Sequence, residues 1–193
     1  MPTRSWRKNK LAFIPYFRFM QVLLSHSNLK ELISSLAKQL VEKHGSLNEV
    51  ALVGIQQGGV AIADELVVAI RKQDPEAKFE YGQLDITFYR DDIRKNILTP
   101  DRMNLPFAVE DKTVILIDDV LFTGRTIKAA LDVLLDYGRP GKVELCVLVD
   151  RKEHRQFPIQ ADFVGQAFET DRKDKIKLVN DEKGNKQVVL ITG

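Results

Sequence analysis

The sequence predicts an α/β domain in which a central parallel sheet is flanked by helices. Two observations predict this class. Apolar runs of strand length alternate along the chain with helical patterns, which is typical of α/β domains. These runs are continuously apolar, as expected for central parallel strands that are buried on both faces. The 193 residues are 44% hydrophobic, which suffices for one core. Because no repeat, low-complexity tract or linker interrupts the pattern, we expect a single domain over residues 20–193.

The first half of the chain supplies two helices and the strand between them. The segment NLKELISSLAKQLVEKHG predicts a helix whose apolar residues form one stripe. Asn28 is its expected cap, with Glu31 at capping-box spacing, and Gly45 is its expected end. EVALVGI (49–55) predicts a buried strand, and after the turn QQGG a second helix is expected over residues 59–73.

The second half continues the alternation. The segment KFEYGQLDITFYR predicts extended structure, and the long polar insertion at residues 91–110 indicates a functional or mobile loop. TVILIDD (113–119) predicts a central strand, followed by a helix that ends at Gly138. Three extended segments complete the fold: the buried strand KVELCVLVDR, the shorter strand ADFVGQAF, and a terminal hairpin in KIKLVNDEKGNKQVVLIT that turns at Glu182 to Asn185.

Residues 1–19 form a basic segment ahead of this pattern. They carry five positive charges and no acid, so the net charge of +2 leaves −3 for the remainder. A signal peptide is disfavoured because Pro15 and Arg18 interrupt the apolar stretch and no small-residue cleavage site follows. We expect this segment to lie outside the core, as a disordered extension or because the chain starts at Met20. The single cysteine, Cys146, predicts a buried thiol in a reducing cytoplasm.

Three polar loops follow strands at the edge where open α/β sheets bind ligands, the carboxyl ends of the strands: QQGG, DDVLFTGRT and DRKEHRQF. In the second loop, residues 123–126 enter a helix, so unpaired N–H groups and the positive end of the helix dipole face outward. Gly124 allows close approach of an anion, and Arg125 adds a positive charge. The pattern predicts a phosphate site, although it matches neither a Walker loop nor a dinucleotide-binding turn.

Asp118 and Asp119 precede this phosphate site, although carboxylates repel phosphate. Ionised carboxylates only accept hydrogen bonds, so the pair suits a ligand that has hydroxyl groups near its phosphate. A ribose 5-phosphate meets that requirement, and Mg²⁺ bound to the same hydroxyls would reduce the crowding of negative charge. The alternative is structural: the acids merely end a strand and Thr123 caps a helix.

The segment VILIDDVLFTGRT (114–126) resembles the signature for phosphoribosyl pyrophosphate (PRPP) in type I phosphoribosyltransferases: an aliphatic run, two acids and a Thr-Gly turn. LDITFYRDD, LDYGRP and the stretch from VLVDR to ADFVG further resemble the PyrR family, pyrimidine-operon attenuators that are also uracil phosphoribosyltransferases. The resemblance spans roughly residues 27–175. It implies a type I phosphoribosyltransferase fold with a small hood and a C-terminal hairpin, and a homo-oligomer (dimer or tetramer). The implied reaction converts uracil and PRPP, with Mg²⁺, to UMP and pyrophosphate.

The resemblance also implies roles for individual residues. Arg90, Asp118 and Asp119 would be the catalytic residues, with Mg²⁺ held through the substrate and the two acids, although a solvated charge is the alternative for Arg90. The implied binding site consists of a PRPP site at Asp118, Asp119, Val120, Leu121, Phe122, Thr123, Gly124, Arg125 and Thr126; a pyrophosphate loop at Gln56, Gln57, Gly58 and Gly59; a mobile loop at Tyr89, Arg90, Asp91 and Asp92; and a base site at Arg151 and the backbone near Phe163 and Val164.

Two positions depart from the patterns of related enzymes. Phe122 stands where purine enzymes often carry an acid, which favours a pyrimidine substrate. Gly58 stands where the PyrR family usually has an arginine in the pyrophosphate loop. Because a guanidinium binds a leaving pyrophosphate through charged hydrogen bonds, we expect slow turnover here. We also expect Gly58→Arg to raise kcat about tenfold, unless Gly58 needs a positive φ.

Two other functions remain open. A nucleotide-sensing RNA-binding regulator would use the same ligand site, but a net charge of −3 over residues 20–193 contributes little to RNA affinity. Its basic contacts would be His26, Lys30 and Lys38, which a solvated helix face also explains. A phosphoacceptor receiver domain also places acids at strand ends, but it needs a lysine at a later strand end, where this chain has Arg151. We favour the uracil phosphoribosyltransferase over both.

Overall fold

The computed structural model describes residues 19–86 and 105–193. Its strands are β1 (Met20–Leu24), β2 (Val50–Ile55), β3 (Glu80–Leu84), β4 (Thr113–Leu121), β5 (Lys142–Asp150), β6 (Phe163–Ala167), β7 (Lys175–Asn180) and β8 (Lys186–Ile191). Its helices are α1 (His26–His44), α2 (Gly58–Gln73) and α3 (Arg125–Tyr137), together with a 3₁₀ turn at Lys152–His154. The expected mobile loop at residues 89–92 lies outside the described residues, as do residues 1–18. Within the described ranges, no helix is long and apolar enough to cross a membrane.

Strands β2 to β6 form the predicted parallel sheet, in the order β3-β2-β4-β5-β6. Strand β4 lies at its centre, where Ile117 pairs with Cys146 of β5. Successive side chains of a strand point to opposite faces, and β4 buries both sets. Ile115 and Ile117 belong to the core cluster that includes α1 and α2, whereas Val114 and Leu116 belong to the cluster that includes α3. The apolar run that predicted a central strand is therefore explained by burial on both faces.

Helix α1 begins at His26, and its cap is Ser25 rather than Asn28. The Ser25 Oγ accepts a hydrogen bond from the Asn28 N–H at 3.4 Å, and the Ser25 backbone has the extended conformation typical of a cap. Ser25 takes this role because it directly follows β1, a strand that the sequence pattern did not predict. The predicted capping box of Asn28 and Glu31 is therefore wrong, whereas the predicted end at Gly45, with a φ of 65°, is confirmed.

Strands β1, β7 and β8 form a second, antiparallel sheet in the order β1-β8-β7, which we call the hood. The predicted terminal hairpin is confirmed as the pairing of β7 with β8 along their full lengths. Asp181 closes its turn, because the Asp181 Oδ1 accepts the N–H groups of Lys183 and Asn185, each at 2.8 Å. Gly184 completes the turn with a left-handed φ of 81°. The hood therefore joins the two ends of the described chain.

Cys146 lies in the core of the central sheet with no exposed surface. Burial raises the pKa of its thiol to about 12, so the thiol stays protonated and unreactive at neutral pH. The prediction of a buried structural cysteine is confirmed.

Candidate active site

The carboxyl ends of β2, β4 and β5 meet at one edge of the central sheet, as the sequence predicted for its three polar loops. Strand β2 leads into residues 56–59, and β5 leads to Arg151. Strand β4 extends to Leu121, two residues beyond its predicted end, so Asp118 and Asp119 lie inside the strand rather than at its end. Because the strand is fixed by its neighbours, the acid pair is held more rigidly than loop residues would be.

A cleft of about 260 Å³ lies at the N-terminus of α3 and is lined by residues 118 and 120–127. We call it the phosphate cleft. Gly124 caps the helix with a left-handed φ of 88°, a conformation that favours glycine. The first N–H groups of a helix have no partner within it, so those of α3 can donate to an anion here. Arg125 borders the cleft, and its Nε donates to the Gln156 Oε1 at 2.9 Å. The structure thus brings the predicted residues 123–126 together in an arrangement suited to a phosphate.

Asp118 and Asp119, although adjacent in β4, border different clefts. Asp118 is 5% exposed and lines the phosphate cleft, whereas Asp119 lines a second cleft of about 470 Å³ between the start of α2 and the hood. The Asp118 Oδ1 accepts the Asp119 N–H at 3.0 Å, and the Asp119 Oδ1 accepts the Val120 N–H at 2.9 Å. Burial raises the pKa of Asp119, and its hydrogen bonds with Asp118 and Val120 oppose that shift. The pair therefore connects the two clefts.

Gly58 lies directly against Asp119 in the second cleft. A Cβ atom on Gly58 would lie 2.3 Å from the Asp119 Cγ, so no larger residue fits while Asp119 keeps its position. Gly58 is not among the glycines with a positive φ, so the constraint is steric contact rather than backbone conformation. Gly58→Arg would require the Asp119 carboxylate to move, which works against the expected gain in kcat. Gly59 is confined in a similar way, since its Cβ would lie 2.2 Å from the Ile117 carbonyl oxygen.

Phe122 and Arg151 form a stacked pair beside the phosphate cleft. The Arg151 guanidinium carbon lies 4.0 Å from the centre of the Phe122 ring, and His154 meets the same ring edge-on with 5.3 Å between ring centres. Arg151 also donates three hydrogen bonds to the segment after β6: to the Thr170 hydroxyl at 2.7 Å, and to the carbonyl groups of Asp171 and Asp174 at 2.9 and 3.0 Å. Arg151 is only 2% exposed, so it anchors that segment. Because the guanidinium donors are taken up by these contacts, the predicted base recognition at Arg151 stays a prediction.

Phe163 and Val164 begin β6, an outer strand, where they pair with Cys146 and Val147 of β5. The Phe163 side chain is 3% exposed and belongs to the core cluster that includes α1. A ligand could therefore contact these two residues only through their backbone or through the half-buried Val164 side chain. Base recognition at these residues stays a prediction.

Arg155 and Gln156 brace the phosphate cleft from outside, and sequence reasoning did not assign them. The Arg155 guanidinium donates to the Phe122 carbonyl, and the Gln156 N–H donates to the Thr123 carbonyl at 2.9 Å. Both residues belong to the loop DRKEHRQF, and its position after a central strand was the signal that could have found them.

Lys177 and Lys186 of the hood line the second cleft together with Gly58 and Asp119. The sequence carried no signal for them, because their strands lie far along the chain from residue 58. Only the packing of the hood against the start of α2 brings these lysines to the site.

Comparison with known proteins gives the family of the chain. Residues 21–183 match the family model described as a phosphoribosyl transferase domain. The Bifunctional protein PyrR of Picosynechococcus sp. is 44% identical over 171 residues, which cover 88% of this chain and 96% of that protein. The Bifunctional protein PyrR of Geobacter sulfurreducens is 42% identical over 162 residues, which cover 83% of this chain and 90% of that protein.

Solved structures give the same fold at much lower identity. A hypoxanthine phosphoribosyltransferase from Trypanosoma cruzi aligns with a TM-score of 0.67 at 16% identity, covering 88% of this chain and 94% of that one. A hypoxanthine phosphoribosyltransferase from Staphylococcus aureus aligns with a TM-score of 0.63 at 22% identity, covering 78% and 79%. These likenesses show the type I phosphoribosyltransferase fold alone, with the hood as its additional sheet. From its sequence and its fold together, the chain belongs to the phosphoribosyltransferase family and, within it, to the PyrR proteins.

Proposed function

We propose that this protein binds PRPP and transfers its phosphoribosyl group to uracil, which gives UMP and pyrophosphate. The observation that carries the proposal is the position of Asp118 and Asp119 between two clefts. The phosphate cleft suits the 5′-phosphate of PRPP and the second cleft suits its pyrophosphate, so the ribose between them would lie at the acid pair. Membership of the phosphoribosyltransferase family supports the same reading.

The acid pair orients the ribose. Carboxylates are pure acceptors when ionised, so Asp118 and Asp119 can accept hydrogen bonds from the 2′- and 3′-hydroxyls. The backbone N–H of Val120 donates to the Asp119 Oδ1, which fixes the orientation of this carboxylate before a ligand binds. Residues 123–126 hold the 5′-phosphate at the helix N-terminus, where the helix dipole also favours an anion.

Transfer breaks the C1′–O bond of PRPP and forms a C1′–N1 bond to uracil. The electron pair of the broken bond leaves with pyrophosphate, and the N1 proton of uracil passes to the departing pyrophosphate or to water as the nucleotide forms. Positive charge develops on the ribose in the transition state, where the negative charge of Asp118 and Asp119 stabilises it. The hood forms one wall of the second cleft and helps to exclude water, which would otherwise hydrolyse PRPP.

Mg²⁺ fits the donor set at this site. It prefers oxygen ligands and is commonly held by one or two carboxylates together with substrate phosphates. Among residues 19–86 and 105–193, no cluster of three or more acidic, histidine or cysteine side chains could hold a metal ion by itself. A metal held jointly by the substrate, Asp118 and Asp119 agrees with that donor set, and when bound it would neutralise charge on the pyrophosphate.

The position of Phe122 supports uracil over a purine base. Phe122 has no titratable group, and its ring is confined between Arg151 and His154. An acid at this position could exchange a proton with a purine ring nitrogen, which a phenyl ring cannot do. A pyrimidine base needs no such group.

One assay tests the proposed reaction. The full chain is incubated with PRPP and Mg²⁺, and uracil, hypoxanthine, guanine and orotate are offered separately. We expect UMP with uracil and no nucleotide with the two purines. Formation of IMP or GMP at a higher rate than UMP would refute the base assignment, and an absence of any nucleotide would refute the reaction.

A nucleotide-sensing RNA-binding regulator is the second candidate, because the relatives compared above are named bifunctional. On α1, the Lys38 Nζ lies 3.6 Å from the Glu42 Oε1, and the His26 Nδ1 lies 3.3 Å from the Lys186 carbonyl oxygen. Two of the regulator's three candidate RNA contacts therefore have a partner within the protein, although the pair of Lys38 with Glu42 is exposed and weak. Residues 1–19 hold the excess of positive charge, so they would have to supply most of the electrostatic affinity for RNA.

A further inference from the structure

The second cleft presents a charge problem if it holds pyrophosphate, as the proposed function requires. Its wall on the central sheet carries Asp119, and the loop beside it has Gly58, which contributes no charge. Pyrophosphate brings several negative charges next to this carboxylate. An arginine cannot replace Gly58 without moving Asp119, because the first side-chain atom would lie 2.3 Å from the Asp119 Cγ. A positively charged side chain that assists Mg²⁺ in this cleft would therefore have to come from a wall other than the loop after β2.

The hood provides that wall. Among the described residues that line the cleft, the positively charged side chains are Lys177 of β7 and Lys186 of β8. Strand β7 is an outer strand of the hood, and its residues 176–180 border the cleft. The hood thus faces Gly58 and Asp119 across the same space.

The two lysines differ in their availability. The Lys186 Nζ lies 2.7 Å from the Glu65 Oε1 and donates to the Ala61 carbonyl at 3.2 Å, so its charge is already balanced and it ties the hood to α2. Lys177 is exposed, and within the described part of the chain no acid lies within ion-pair distance of it. An ammonium group on a flexible four-carbon stem can move to meet a phosphate group.

We propose that Lys177 binds the pyrophosphate group and supplies the positive charge that Gly58 does not. The charge requirement of the second cleft is then met from the hood rather than from the loop after β2. Lys186 keeps the hood against α2 and so positions β7, while Lys177 makes the contact with the ligand. This proposal rests on the proposed function, because it needs pyrophosphate in the second cleft.

The test compares Lys177→Gln with Lys175→Gln in the full chain. Lys175 lies two residues away on the same strand and is also exposed, but it does not line the cleft, so it is the matched control. The binding of inorganic pyrophosphate with Mg²⁺, and separately of UMP, is measured by calorimetry. We expect Lys177→Gln to weaken pyrophosphate binding about tenfold or more, because a charged hydrogen bond is lost. We expect Lys175→Gln to leave it unchanged, and UMP affinity to be the same in both variants.

Two further measurements separate a charge contact from a structural effect. Lys177→Arg should retain most of the pyrophosphate affinity. The difference in pyrophosphate affinity between the unaltered protein and Lys177→Gln should shrink as the salt concentration rises, because salt screens an exposed charge. Equal pyrophosphate affinity in the unaltered protein and Lys177→Gln would overturn the role of Lys177 and leave the proposed function intact. Failure of the unaltered protein to bind either pyrophosphate or PRPP would overturn both.

Discussion

Gly58 and Asp119 are packed so closely that a methyl group on Gly58 would lie 2.3 Å from the Asp119 Cγ. The loop after β2 therefore packs directly against the acid pair of β4, and each constrains the position of the other. A substitution in that loop alters the ribose site directly, even though the two residues belong to different elements of the fold.

We expect Gly58→Ala to lower PRPP affinity about tenfold, and Gly58→Arg to lower it at least as much. Either side chain must displace the Asp119 carboxylate, which would also lose its hydrogen bond from the Val120 N–H. Calorimetry with PRPP and Mg²⁺ measures the effect, and a double-mutant cycle with Asp119→Ala supplies the control. If Gly58→Ala weakens binding as much in the Asp119→Ala background as in the otherwise unaltered protein, the steric coupling is not the cause.

Asp118→Asn combined with Asp119→Asn should reduce PRPP affinity by at least about a hundredfold. The substitutions remove two charged acceptors for the ribose hydroxyls, and hydrogen bonds to charged groups contribute roughly 1.5–3 kcal/mol each. Glu42→Gln is a matched removal of negative charge on α1, away from both clefts, and should leave PRPP affinity unchanged. Unchanged PRPP affinity in the aspartate variant would remove the acid pair from the binding site.

Gly124→Ala and Gly184→Ala separate backbone strain from phosphate binding. Both glycines have a left-handed φ, 88° and 81°, so alanine should cost each variant roughly 1–2 kcal/mol of unfolding free energy. Only Gly124 lies at the phosphate cleft, where a Cβ would also lie 3.2 Å from the Ile159 Cδ1. We therefore expect UMP affinity to fall in Gly124→Ala alone. A similar fall in Gly184→Ala would show that strain, not the phosphate site, is responsible.

Glu144 makes stability depend on acid pH. Burial by itself raises the pKa of Glu144, but hydrogen bonds with Lys142, Lys43 and His44 outweigh burial and lower the pKa to about 2, from an ordinary 4.5. A depressed carboxyl pKa stabilises the folded state above the ordinary pKa, and that stabilisation is lost as pH falls through the depressed value. Glu144→Gln should therefore lower the unfolding free energy by about 2–3 kcal/mol at roughly neutral pH.

The pH profile provides the control for Glu144. Chemical denaturation at several pH values measures the unfolding free energy of the unaltered protein and of Glu144→Gln. The difference between these two free energies should shrink as pH falls from about 4.5 to about 2. A difference that stays constant over this range would mean that lost packing, rather than the carboxylate charge, accounts for the effect.

RNA binding should depend on residues 1–18. A protein comprising residues 19–193 keeps the hydrogen bonds between Phe19 and Thr192 but loses five positive charges. At roughly physiological salt it should bind a pyrimidine-operon leader RNA no tighter than the nonspecific range of ~10⁻⁴–10⁻⁶ M known for DNA. Tight binding that responds to UMP in the shortened protein would instead make the RNA-binding regulator the leading function.

The sequence by itself determined the parallel sheet and the phosphate cleft, because the patterns that predict them lie in consecutive residues. The apolar run of β4, its two acids and the turn into α3 are local features of the sequence. In the structure the run forms a buried strand that carries the acid pair, and Gly124 caps α3, as that pattern implied. The cap of α1 was misplaced by only three residues, since Ser25 and Asn28 are both good cap residues and only the presence of β1 selects Ser25.

Tertiary structure alone decided which side chains complete the site. The contact of Gly58 with Asp119 depends on how α2 packs against β4, and the approach of Lys177 depends on how the hood packs beside both. Arg151 follows a central strand as a ligand-binding residue would, yet its donors are taken by a segment about twenty residues later in the chain. Sequence periodicity reports burial within one element, whereas these contacts join elements that meet only after the chain has folded.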